Sequence, residues 1–200
     1  MLPWLISSAF AAPELIPEEL WTAAVGANSP GGPAVSVELP LRDGGTFTSA
    51  DAKGKPLVMS FWASWCGPCR KELPALSEFQ KTHPGVVFLA VNVDRDRAAA
   101  EGFLEKVDVD IPVAFDPDAK ALGQYGVTSM PTLFLVDKQG HLAWKHTGYS
   151  EQKGFTELEA ALSGKPPPTD PSDDGGDDPA PRPAADVTLK PNPLKPGGAK

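Results

Sequence analysis

Two short apolar runs, at 57–62 and 86–93, enclose a stretch with helical spacing, and this strand–helix–strand unit constrains the fold more than any other feature. Short apolar runs that lead into helical periodicity read as buried strands. Between them Leu73, Leu76 and Phe79 recur at helical spacing, with Pro74 expected to kink the helix. Upstream, Val35, Val37 and Leu39 alternate with polar residues, and Asp43-Gly44-Gly45 marks a turn before Thr46-Phe47-Thr48, which predicts an opening hairpin. Downstream, Ala100, Phe103, Leu104 and Val107 form the stripe of an amphipathic helix. A shorter helix is expected over 118–125, with Ala121, Leu122 and Tyr125 on its face. A strand over 132–136, a turn at Asp137-Lys138-Gln139-Gly140 and a return strand over 142–147 follow. A last helix is expected over 151–162, marked by Phe155, Leu158 and Leu162. This order implies an α/β sandwich around a mixed sheet, antiparallel on the side of the closing hairpin.

The ends of the chain read differently. Ten of the 23 prolines fall after Lys165, and five aspartates crowd positions 170–178. A segment of that composition, without one aromatic residue, buries too little apolar surface to offset the entropy of ordering, so 164–200 is expected to be a disordered tail. Residues 13–33 read as a linker and 34–163 as the folded domain. Residues 1–12 read MLPWLISSAFAA, and Ala9-Phe10-Ala11 has the form of a signal-peptidase site. This expected signal peptide is short and atypical, since the first basic residue is Arg42. Export is therefore the expected fate. The net charge of −8 excludes nucleic-acid binding through the phosphate backbone, which needs a basic face.

The chain has two cysteines, Cys66 and Cys69, just past the first buried strand and at the start of the helix, which is expected to begin near Gly67. Unpaired N–H groups and the helix dipole stabilise a thiolate there, and the thiolate is the species that attacks a disulfide. Cys69, one turn on, can close a short ring with Cys66, which makes the second step intramolecular. Pro68 suits the first helical turn. Gly67 has no side chain to shield Cys66, which is therefore expected to be the exposed, attacking thiolate, with Cys69 resolving. Two other readings compete. A Cys-x-x-Cys pair is half a zinc site, and His141 and His146 could complete it by spacing. Their odd separation on one strand puts them on opposite faces, so no metal is expected. A purely structural disulfide with so small a ring would remove little unfolded-state entropy.

The segment Phe61-Trp62-Ala63-Ser64-Trp65-Cys66-Gly67-Pro68-Cys69-Arg70-Lys71-Glu72-Leu73-Pro74 resembles the active-site segment of extracytoplasmic thioredoxin-like proteins of the TlpA/ResA type. Val91-Asn92-Val93-Asp94 is similar to their second core strand, and Ser129-Met130-Pro131-Thr132, about 60 residues past the cysteines, to their cis-proline loop. The resemblance implies a thioredoxin-like three-layer sandwich with an N-terminal hairpin extension. It also implies a cis Met130–Pro131 bond that leaves the Met130 backbone free to pair with an extended substrate. Trp65, Gly67, Pro68, Met130, Pro131 and Thr132 are the substrate-facing residues on this reading. One departure stands out. Cytosolic thioredoxins carry a buried Asp where this chain has Ser60, and Glu72 matches the acidic residue of the ResA-like group. On a helix Glu72 shares a face with Cys69, and a half-buried carboxylate there would exchange protons with the resolving thiol.

The resemblance implies a reductase of disulfides in exported proteins, in cytochrome c maturation or a similar pathway, and a monomer without a cofactor is expected. Protein thiols would be its substrates and a membrane thiol carrier its electron donor. Gly-Pro between the cysteines matches the dipeptide of the reducing thioredoxin couple, at about −270 mV. A thiol peroxidase would need a lone cysteine after Pro and Thr, and Ala63-Ser64-Trp65 does not fit. A copper-binding chaperone is the non-catalytic alternative, with His141 or His146 as a further ligand.

Overall fold

The structure, a computed structural model, describes residues 31–165. The expected signal peptide at 1–12, the linker up to residue 30 and the tail beyond residue 165 lie outside the described residues. The last linker residues are not free-standing. Gly31 N donates to Leu142 O, Leu142 N to Gly32 O and Ala34 N to Gly140 O, all at 2.8–2.9 Å, so the chain enters the fold along an edge strand.

The opening hairpin forms as expected from β1 (Glu38–Pro40) and β2 (Thr46–Thr48), a small antiparallel sheet with Leu39 facing Phe47. The central sheet comprises β3 (Leu57–Trp62), β4 (Val87–Asn92), β5 (Val113–Phe115), β6 (Thr132–Val136) and β7 (Leu142–Thr147), in the order β5-β4-β3-β6-β7. β3 lies at its centre, parallel to β4 and antiparallel to β6, and all six of its residues are buried. Burial on both faces is what a continuous apolar run encodes.

Side chains alternate across the sheet, and two cores result. Val58 and Trp62 face the layer that holds both cysteines, Leu73 and Leu76 of α1 (Cys69–Lys81), Phe103 of α2 (Arg97–Leu104) and Leu158 of α4 (Thr156–Leu162). Leu57, Met59 and Phe61 face the hairpin and Ala121 of α3 (Lys120–Gln124), with Tyr125 just beyond it. Phe61, Tyr125 and Phe134 pack there with ring centroids 4.9–5.6 Å apart. The result is a three-layer sandwich.

Several elements depart from expectation, each for a local reason. β5 has no counterpart in the sequence reading, because three apolar residues between prolines carry no usable period. The helix expected over 118–125 is cut to Lys120–Gln124. Its start is set by the Asp116 carboxylate, which accepts from Lys120 N and Leu122 N at 2.9 and 2.8 Å. The last helix begins at Thr156, five residues later than expected. Gly154 has φ +54°, a left-handed conformation that ends the preceding turns before the helix can start. α2 is capped by Asp96, which accepts from Ala98 N at 3.0 Å, and it ends before Val107, although Val107 still packs on the core. α1 is continuous through Pro74 and starts at Cys69, two residues past Gly67.

Candidate active site

β3 delivers the chain to the carboxyl edge of the sheet, where Ala63–Pro68 must turn it into α1. Asp94, just past the adjacent strand, fixes that turn. Its carboxylate accepts from Ser64 N at 2.7 Å, Ser64 Oγ at 3.0 Å and Asn92 Nδ2 at 2.8 Å. Both Asn92 and Asp94 are buried, so this network fastens the active-site loop to β4. Sequence reading noted Asp94 only as part of a resembling strand. The available signal was a carboxylate directly after an apolar run.

Cys66 and Cys69 are joined in a disulfide with their Cα atoms 5.4 Å apart. The backbone N–H of Cys69, first residue of α1, donates to Cys66 Sγ at 3.2 Å. An unsatisfied helix N–H is thus aimed at the sulfur where a thiolate would form. The expectation that Cys66 is exposed is corrected. Cys66 is 3% exposed and Cys69 fully buried, whereas Trp65 is 73% exposed. Gly67 and Pro68 are the exposed residues of the turn. Gly67 leaves the sulfur uncovered on one side, but the apolar core closes round the rest.

Glu72 is more buried than the half-burial expected. Its side chain has no accessible surface and sits at the heart of the α1–β3 contact. Ser60 Oγ donates to Glu72 Oε2 at 3.0 Å, while Oε1 has no partner among the described residues. Burial pushes its carboxyl up to about 8, and the Ser60 hydrogen bond offsets part of that rise. Ser60 and Glu72, noted separately in the sequence, are therefore one unit. The carboxyl of α1 reaches the strand position where a cytosolic thioredoxin carries its Asp.

Met130–Pro131 is a cis peptide. The register Phe61↔Thr132 puts this loop at the same sheet edge as the cysteines. Met130 packs on the core that contains both sulfurs, and its backbone groups have no hydrogen-bond partner among the described residues. Pro131 is buried, and its carbonyl accepts from Gly148 N at 2.7 Å. Thr132 is 1% exposed, and its hydroxyl donates to Ser129 O at 2.8 Å, so it braces the loop from within.

One side of the site was not legible in the sequence. A groove of about 390 Å³ runs beside Gly67 and Pro68, walled by Lys71 and by Tyr149 and Glu151 of the β7–α4 loop. Lys71 Nζ pairs with Glu151 across it. Tyr149 leans on Phe155 with centroids 5.4 Å apart. Partial burial raises its hydroxyl pKa, helped by the nearby Glu151 and Glu72 charges. An aperiodic loop gives no hint that it will fold back over a helix.

His141 lies 3.7 Å from Asp137 and His146 3.1 Å from Glu157. No group of three or more His, Cys, Asp or Glu side chains able to hold a metal occurs among the described residues.

A Cys-x-x-Cys pair between a central β-strand and a helix, facing a cis-proline loop, defines a protein of the thioredoxin-like class. Residues 27–162 match the Redoxin family, and the chain belongs to that family. Thiol-disulfide oxidoreductase ResA of Bacillus cereus is 38% identical over 100 residues, 49% of this chain and 58% of that protein. ResA of Bacillus subtilis is 34% identical over 122 residues, 60% of this chain and 68% of that protein. The chain thus spans between about half and two thirds of the length of these relatives. Among solved structures, a Chlorobium tepidum protein assigned as thiol:disulfide interchange protein DsbE superposes with TM-score 0.64 at 34% identity, covering 68% of this chain and 99% of that one. The exposed lipoprotein thioredoxin Etrx1 of Streptococcus pneumoniae superposes with TM-score 0.57 at 33% identity, covering 64% and 99%.

Proposed function

We propose that this chain is a thiol–disulfide oxidoreductase that reduces disulfides in exported proteins outside the cytoplasm, such as heme-site cysteines during cytochrome c maturation. The observation that carries the chemistry is the Cys69 N–H directed at Cys66 Sγ. In the reduced protein that donor and the helix N-terminus favour a Cys66 thiolate. The thiolate attacks one sulfur of the client disulfide and releases the other as a thiolate, which gives a mixed disulfide. Cys69 then yields its proton to Glu72 and attacks Cys66 Sγ. The Cys66–Cys69 bond forms, the mixed disulfide breaks and the client leaves as a dithiol, two electrons having passed to it. Glu72 ends the cycle protonated, in keeping with its raised pKa in the disulfide form. The unpaired Met130 backbone would hold an extended client strand against the cysteines, with Trp65, Gly67, Pro68 and Pro131 around it. A membrane thiol carrier would return the enzyme to the dithiol. The ResA names of the relatives support the reaction class.

Trapping tests the roles. Cys69→Ala should accumulate a mixed disulfide through Cys66, and the protein captured identifies the client class. An adduct formed only by Cys66→Ala, through Cys69, would reverse the assignment. A reduction potential above about −150 mV on equilibration with glutathione would place the couple among oxidants and defeat the reductase reading.

A further inference from the structure

The sheet edge opposite the cysteines holds a hollow of about 550 Å³. β3 enters the sheet there at Leu57 and β6 leaves it at Val136, the two residues facing each other in register. Val35, Ala52, Leu57 and Val136 make an apolar floor with Tyr125, whose hydroxyl donates to Val35 O at 2.7 Å. Lys53, Lys55 and Lys138 line the same hollow. All three are exposed, and none has an ion-pair partner among the described residues. The one carboxylate in the lining, Asp137, is already engaged. Its Oδ1 accepts from Gln139 N and His141 N, each at 2.8 Å, and its Oδ2 lies 3.7 Å from His141.

Three ammonium groups against one carboxylate leave this concavity with a net positive charge and concentrate positive potential there. Two other hollows among the described residues do not share this. A second hollow of about 580 Å³ carries Glu38, Asp116 and Asp118 against Lys120 alone. In the groove beside the cysteines, Lys71 is paired with Glu151. In a chain of net charge −8, a confined basic hollow with an apolar floor is selective for an anion that also carries an apolar or neutral body. Three lysines lining one hollow offer more donors than the two oxygens of a carboxylate need and suit the several oxygens of a phosphate.

We propose that this hollow binds a phosphate-bearing ligand, with the phosphate among Lys53, Lys55 and Lys138 and the remainder against the apolar floor. The phosphate belongs either to a free compound or to a lipid headgroup. The six residues of β3 separate this edge from the cysteine edge, a span of about 20 Å. An occupied hollow therefore leaves Cys66 open to its client.

The test uses the full oxidised chain at low salt, titrated calorimetrically with inorganic pyrophosphate. Saturable one-to-one binding is expected. It should weaken about tenfold or more when Lys53, Lys55 and Lys138 are all changed to Gln. A charge-matched variant with Gln at Lys106, Lys120 and Lys145 should keep wild-type affinity. Absence of saturable binding, or equal losses in both variants, overturns the proposal. Co-sedimentation with phosphatidylglycerol but not phosphatidylcholine vesicles, reversed by pyrophosphate, assigns the ligand as a headgroup. Pyrophosphate binding without co-sedimentation assigns a free phosphate compound. Disulfide reduction is not a readout here, so this site and the redox reading stand or fall separately.

Discussion

At the scale of single residues, the site turns on a carboxyl shut away from the surface. Glu72 is fully buried with one hydrogen bond, from Ser60, and one unpaired oxygen. Burial alone accounts for its preference for the neutral form. In its proposed role as proton acceptor for Cys69 it must be ionised before resolution, so the resolution rate should climb with pH as Glu72 ionises. Glu72→Gln should lose that limb and resolve about a hundredfold more slowly at neutral pH, the usual scale for a lost general base. Single-turnover decay of the mixed disulfide across pH 5–9 measures this, and identical profiles for variant and wild type would remove the role. Spacing in the sequence was enough to put Glu72 on the helix face that carries Cys69, and both are buried residues of α1. It could not give the depth of burial, which depends on Ser60 and on how closely α1 lies against β3.

At the scale of elements, the loop before the cysteines depends on a neighbouring strand. Asp94 is the common acceptor for Ser64 and Asn92, and it ties the β3–α1 turn to the end of β4. Asp94→Ala leaves the Ser64 N–H and the buried Asn92 Nδ2 without their acceptor, which should cost about 2–4 kcal/mol. Ser64→Ala removes a single hydroxyl bond and should cost about 1 kcal/mol. Urea midpoints of the two variants should therefore rank Asp94→Ala well below Ser64→Ala, and equal midpoints would show that the network is not the fastening. The same elements show how far sequence reading reaches. β3, β4 and α1 are legible because burial on two faces, or on one stripe, imposes a period. β5 is too short to show one. The late start of α4 is set by the left-handed Gly154, and that of α3 by side-chain capping at Asp116, neither of which perturbs the apolar pattern. The Tyr149 loop was invisible for the same reason: its contact with α1 is tertiary, with no local signature.

At the scale of the whole molecule, Glu72 links stability to pH. Its folded pKa is about 8 against an ordinary 4.5, so between those values the folded protein keeps a proton that the unfolded chain releases. Stability from this group is fully present below pH 4.5, declines as pH rises and is lost once pH passes about 8. Urea midpoints of Glu72→Gln and wild type should thus diverge in favour of the variant between pH 5 and pH 8. A difference that stays constant over that range would contradict the linkage.

The shallow seat of Cys66, 3% exposed beside a 73% exposed Trp65, has a kinetic consequence as well. With so little of the sulfur exposed, a client disulfide would compete for it by how far it projects from its own backbone as much as by how easily it is reduced. On the proposed function, disulfides recessed within folded domains would be turned away on shape, and those on extended, unfinished chains admitted. A sieve of that kind would let a reducing protein work among completed disulfide proteins without dismantling them.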